Sequence, residues 1–177
     1  DPQLAISAAA AVQILPTGDT RIVTTGITKD RPQSAVYAEH VALFLAAYYN
    51  QANALPIHVV ADCQAVVEGF TQTPAKRLNY RAKFGGFWMQ VHDQIEGITK
   101  VKSHQTPAQA ALRGEAHLWH GNWLADLKAN EALPKYNEDD LRLYLQEQKH
   151  RLQVLKQACT RLGACASTEP LAAVLKQ

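Results

Sequence analysis

The stretch IHVVADCQAVVEGF (residues 57–70) decides the fold. Its first five residues are a short apolar run of strand length. Such a run suits a parallel strand covered on both faces. Asp62 ends the run, and CQAVVEGF starts a short helix at once. An acid at that junction has two readings. It caps the following helix, or it faces something charged. A lone carboxylate in an apolar frame costs several kcal/mol unless it is paired, neutralised or on a metal.

Upstream, Ala9 to Leu15 (AAAVQIL) reads as a strand that ends in Pro16-Thr17-Gly18-Asp19, which is turn chemistry. Thr20 to Thr25 (TRIVTT) is β-branched and resumes as its hairpin partner. A loop follows to Gln33, and Ser34 is placed to cap a helix over 35–50. That helix has apolar residues over most of its surface and is expected to be largely buried. Ala54-Leu55-Pro56 breaks it.

Downstream, residues 71–83 (TQTPAKRLNYRAK) are polar and basic. Phe87, Trp88, Val91 and Ile95 mark an amphipathic helix that Gly97 is expected to stop. Ile98 to Lys102 (ITKVK) is another short strand. A loop from Ser103 to about Leu118 is long for a compact domain and therefore reads as functional, mobile or an insertion. Gly121-Asn122 opens a further helix, with Asn122 as cap, Trp123, Leu124 and Leu127 turned inward, and Pro134 at its end. From Asn137 to about Leu162 the residues Leu141, Leu145, Leu152, Leu155, Cys159 and Leu162 follow alternating steps of four and three, with Gln148 interrupting the stripe. This predicts a long amphipathic helix with Gly163 just past its end. The order of elements predicts an α/β fold: a mixed sheet with helices on its faces.

Composition bounds the function classes. A chain of 177 residues with 47% hydrophobic content can bury one ordinary core. A net charge of +2 says little about partners, because local clusters matter more than the sum. Cys63, Cys159 and Cys165 form no CxxC pair, which favours a reducing compartment and disfavours a disulfide frame or structural zinc. No apolar run reaches the ~18 residues of a membrane span. The start, DPQLAIS, lacks the basic n-region of a signal peptide and an initiator Met, so the chain reads as a piece of something longer.

Four acids sit in frames that would otherwise be buried: Asp1, Glu39 in SAVYAEHVALFLAAYY, Asp62 in IHVVADCQAVV, and Asp126 in HGNWLADLKAN. Several such acids in one chain suggest convergence on cations. Taken singly, Glu39 also reads as an exposed helix residue and Asp126 as a solvated first-turn acid suited to the helix dipole.

These pieces together resemble the ribonuclease H domains, particularly those attached to the reverse transcriptases of retroelements. SAVYAEHVAL resembles the family's first helix with its Glu, and IHVVADCQAVVEGF its strand, Asp and helix. ITKVKSH resembles the last strand and its exit loop, and GNWLAD the final helix with its Asp. Glu39 and Asp62 lie 23 residues apart, and Asp62 and Asp126 lie 64 apart, in agreement with the family's spacings. The resemblance covers residues 1 to about 131 and implies a ribonuclease H-like domain over 1–131. Residues 132–177 are then a helical C-terminal extension. The chain departs from the family in three ways. It opens at Asp1-Pro2, where the family has a complete central strand, which implies a truncated first strand. The loop between His104 and Asp126 is longer than usual. The helix after 137 is additional.

The resemblance implies endonucleolytic hydrolysis of the RNA strand of RNA–DNA hybrids. Two Mg²⁺ ions about 4 Å apart, with Mn²⁺ as a substitute, would serve it. It implies Asp1, Glu39, Asp62 and Asp126 as metal ligands and catalytic groups, with Asp1 or Asp62 bridging both ions. It implies a loop His that assists proton movement or product release. His104 is the first choice, and His117 and His120 stay open. The implied partners are the hybrid and a covalently linked reverse-transcriptase domain upstream, with no membrane. The implied setting is intracellular, cytoplasmic or nuclear. Lys76, Arg77, Arg81 and Lys83, interleaved with Tyr80, Phe84 and Trp88, are candidates to grip DNA-strand phosphates. The same segment also reads as a solvated linker with core aromatics. Two alternatives to the hybrid nuclease stand: an inactive scaffold or nucleic-acid-binding domain of the same fold, and a resolvase or transposase core with the same acid geometry.

Overall fold

The structure, a computed structural model, describes residues 6–51, 55–103, 105–135 and 137–168. The chain forms two compact units, divided between Pro134 and Lys135. The first is a mixed α/β unit. The second carries one long helix.

Strands β1 (Ala8–Ile14) and β2 (Thr20–Gly26) form the expected hairpin, antiparallel with Ala8 opposite Gly26 and Ile14 opposite Thr20. The turn closes through Leu15 N–H to Asp19 O (2.8 Å) and Gly18 N–H to Leu15 O (2.9 Å). Three successive residues of β1, Ala8, Ala9 and Ala10, are buried. Successive side chains point to opposite faces, so both faces of this strand are covered. Helices α1 (Ala35–Asn50) and α6 (Ala116–Glu131) both pack on it.

Helix α1 begins where Ser34 predicts: its Oγ accepts from the Tyr37 N–H at 3.2 Å. Ala38, His40, Leu43 and Ala47 are buried, spread over a wide arc, because α1 meets β1 and also α4 (Gly85–Val91). Strand β3 (Ile57–Ala61) pairs in parallel with β4 (Ile95–Lys100), with Val59 opposite Ile98 and Ala61 opposite Lys100. The main core gathers Leu43, Ala47, Ala61, Val66, Trp88, Val91 and Ile95. A smaller one joins Ala9, Ile27 and Ala38.

The expected mixed sheet is present in two parts among the described residues. Among the described residues, β1–β2 and β3–β4 are two separate two-stranded sheets, and β1 does not pair with β3. What spans them is helical: α1 and α6 each touch both β1 and β3.

Several boundaries differ from expectation. Helix α2 (Gln64–Thr71) has Cys63, not Asp62, at its N-cap position. Helix α4 ends at Val91, a 3-10 turn covers His92–Gln94, and Ile95 is the first residue of β4 rather than part of a helix. Gly97 lies inside β4 and stops nothing. A Cβ there would sit 2.8 Å from the His58 ring of the neighbouring strand, so close approach explains the glycine. The segment after β4 holds helix α5 (Pro107–Leu112), entered through a full capping box between Thr106 and Gln109. Gly114, at φ +70°, turns the chain from α5 into α6. Gly121 and Asn122 thus fall inside α6, and Asn122 is no cap. Trp123 and Leu127 are partly exposed rather than turned inward. In the second unit, α7 (Glu138–Thr168) runs through Gly163, whose helix-interior cost of about 1 kcal/mol does not end the helix.

Candidate functional site

Asp62 follows the last residue of β3, at the carboxyl end of a parallel pair. Ligands of open α/β sheets bind outside such strand ends. The ladder extends one step further, with Val101 N–H donating to Ala61 O at 3.0 Å. This holds the Asp62 backbone, and the Lys100 ammonium donates to its carbonyl.

Helix α6 brings a second group of side chains to the same end. Trp119, Asn122, Trp123 and Asp126 recur at steps of three and four, so they share one stripe of the helix. The Asn122 Nδ2 donates to Asp62 Oδ2 at 3.4 Å. The Trp119 and Trp123 rings stack with centroids 6.1 Å apart.

Glu39 comes from α1, between buried Ala38 and buried His40. Burial is the main force that pushes its carboxyl up to about 7. The charges of Asp62 and then Asp126 push in the same direction, and Lys100 opposes them. Three acids from three distant segments therefore share one field. Glu39 is not the solvated helix residue that its sequence context alone allows. Asp126 lies in the third turn of α6, not the first, so the helix dipole does not account for it.

Carboxylate oxygens are the donors hard cations select, and a half-buried carboxyl raised by two neighbouring acids is a place where positive charge is favoured. The chemistry of the donor set thus suits Mg²⁺ or Mn²⁺. Among the described residues, however, no three His, Cys, Asp or Glu side chains form a group able to hold a metal ion. Asp1 and His104, the fourth acid and the first-choice histidine, lie outside the described residues. His117 and His120 are exposed on α6, and the His120 ring stacks on Trp123 at 5.8 Å.

The basic segment divides. Arg77 donates from Nη1 to Phe70 O at 2.6 Å and lies over the Phe70 ring, tying helix α3 (Pro74–Arg77) to the end of α2. Lys76, Arg81 and Lys83 are exposed. Arg81 donates to the Tyr80 hydroxyl at 3.0 Å, and Tyr80 is 71% exposed. Trp88 and Phe84 belong to the main core, as aromatics at helical spacing usually do.

Two residues went unnoticed in the sequence. His40 is fully buried, stacked on Phe84 with centroids 3.8 Å apart, and its Nδ1–H donates to Val36 O at 2.8 Å. Burial holds its pKa below the usual histidine value, so it locks α1 to α4 as a neutral ring. Gln105 is buried at the foot of α5, with both amide atoms unpartnered among the described residues. Its signal was the capping box that starts one residue later.

Comparison with known proteins adds no identification: the chain matches no family model, no curated protein and no solved structure.

Proposed function

We propose that this chain is a ribonuclease H-like domain that hydrolyses the RNA strand of RNA–DNA hybrids, within a retroelement polyprotein that carries a reverse transcriptase upstream. One observation carries the proposal: the carboxyl of Glu39 in α1 feels the charges of Asp62 after β3 and Asp126 in α6. Burial is the larger cause of that shift, but capping does not account for Asp62, since Cys63 holds the N-cap of α2, and the helix dipole does not account for Asp126 in the third turn of α6. The finer fold that goes with this function is one mixed sheet with a first strand between β1 and β3, which belong to two separate sheets among the described residues.

Glu39, Asp62 and Asp126, joined by Asp1, are the residues that would hold the cations. Bound there, a pair of divalent ions would supply Lewis-acid charge at the scissile phosphate and at the attacking water. The chain's own residues have distinct parts. Asn122 orients the Asp62 carboxylate. Lys100 fixes the Asp62 backbone and offsets part of the acids' charge. Lys76, Arg81 and Lys83 offer exposed cations to the DNA-strand phosphates, which position a duplex without reading its sequence.

An inactive scaffold of the same fold is the second reading. The additional long helix α7, which the family's domain lacks, favours it. Cleavage of a labelled hybrid in Mg²⁺ separates the two. The nuclease cuts, and Asp62→Asn abolishes the cut while leaving the fold nearly intact. No cutting, even by a chain extended upstream of Asp1, removes the nuclease and leaves the scaffold. Cutting of duplex or junction DNA but not of hybrids transfers the site to the resolvase and transposase class.

A further inference from the structure

Beside the acids lies a cleft of about 190 Å³, which shares Asn122 and Asp126 with the proposed chemistry but is otherwise lined by residues that chemistry does not use. Lys102, Gln105, Trp119, Asn122, Trp123 and Asp126 line it. The unusual member is Gln105. It is only 7% exposed, and among the described residues neither its Oε1 nor its Nε2 has a hydrogen-bond partner. Buried polar groups are nearly always paired, and each that is not calls for an explanation. A side-chain amide with both ends unmet offers an acceptor and a donor side by side. That pair matches the edge of a nucleobase, as when a glutamine grips adenine through two parallel hydrogen bonds.

The surroundings suit such a guest. Gln105 is held in advance: its backbone carbonyl accepts from the Trp119 indole N–H at 3.0 Å, and the Thr106–Gln109 capping box fixes the next residues. A group positioned before binding loses little freedom on binding. Trp119 and Trp123 put stacked rings on the wall, and Trp123 is 45% exposed. Unpaired bases are recognised by aromatic stacking together with hydrogen bonds to their edges. Lys102 at the rim adds a cation for the adjoining phosphate.

We infer that this cleft is a nucleobase pocket, which takes an unpaired base of a bound strand between the Trp119–Trp123 wall and the Gln105 amide. The inference deepens the nuclease reading by naming a subsite next to Asp126, and it rests on that reading for the strand's presence.

The test uses the whole chain in EDTA, so that cleavage plays no part, with an RNA octamer and its abasic counterpart as probes. Tryptophan fluorescence reports binding. The base-bearing octamer should quench it and bind about ten-fold more tightly than the abasic one. Gln105→Leu should remove about ten-fold of that affinity, the loss of one good polar contact pair, and Trp123→Ala should also weaken binding. Because Leu removes an unmet amide without emptying the space, Gln105→Leu should melt no lower than wild type, which separates lost binding from lost folding. Equal binding of the two probes would overturn the pocket, as would full affinity in a folded Gln105→Leu variant, which would leave the amide a hydrated structural group. Neither result would touch hybrid cleavage. Conversely, base-dependent binding by a protein that never cuts hybrids would sink the nuclease and keep the pocket.

Discussion

The Asn122 side chain in α6 donates to the Asp62 carboxylate at the end of β3, across 60 positions of sequence, with Nδ2 and Oδ2 3.4 Å apart. One turn further along the same helix face stands Asp126. The contact therefore sets the register of α6 against the strand end, and it brings Asp126 within the field of Glu39. Asn122→Ala should lower Mg²⁺-dependent hybrid cleavage about ten-fold through misplacement of Asp62, while the thermal midpoint moves by only a few degrees. Unchanged cleavage in that variant would show that the contact orients nothing.

Glu39 makes stability depend on pH in a defined direction. Its carboxyl holds a proton up to about 7 in the folded chain, against 4.5 for an ordinary glutamate. The folded state therefore binds more protons between those values. The stability from protonated Glu39 is fully present below 4.5 and is lost as pH rises through about 7. Glu39→Gln removes that loss. In EDTA at pH 8 the variant should be more stable than wild type by about 1–3 kcal/mol, and at pH 4 the two should coincide. Urea unfolding at the two pH values measures this. A variant less stable at pH 8 would mean that neither burial nor the neighbouring acids disfavour the charged Glu39 carboxyl.

His40 works in the opposite direction. Its pKa is lowered on folding, so the unfolded chain takes up the proton first. Its stability contribution is present above the ordinary histidine value of 6.5 and is lost as pH falls through the lower folded value. His40→Phe keeps a ring beside Phe84 and removes the titration. Its unfolding free energy should therefore fall less than that of wild type between pH 7 and pH 5. Parallel curves for the two proteins would show that His40 does not titrate on unfolding.

The basic residues should separate by role. Arg81→Ala and Lys83→Ala should weaken hybrid binding at all sequences alike, each reducing the salt slope by about one. Arg77→Ala should instead lower stability, by roughly 1–3 kcal/mol, because it unties α3 from Phe70. Salt-dependent binding together with thermal melts distinguishes the two outcomes. A salt slope changed by Arg77 alone would reverse the assignment.

The hairpin, α1 and β3 were legible because local chemistry decides them: a Pro-Thr-Gly-Asp turn, a serine cap, a run of β-branched residues before an acid. Elsewhere the deciding contacts are distant. Gly97 looks like a helix stop until the His58 ring is seen against it. Gly121-Asn122 looks like a helix start, but α6 runs straight through the pair, with Ile14 near Gly121 and Asp62 near Asn122. Helix α5 was missed although Thr106, Pro107 and Gln109 spell a capping box, because too few apolar residues follow to show a period. The acids could be picked out one by one from their apolar frames, but their shared field needed three elements in space.

The most direct test of the central claim is calorimetric titration of Mg²⁺ into the wild-type chain and into Glu39→Gln, Asp62→Asn and Asp126→Asn. Divalent binding by wild type that each single substitution weakens at least ten-fold is the predicted result. Binding that persists undiminished in all three variants, or no binding by a wild-type chain extended upstream of Asp1, would contradict it.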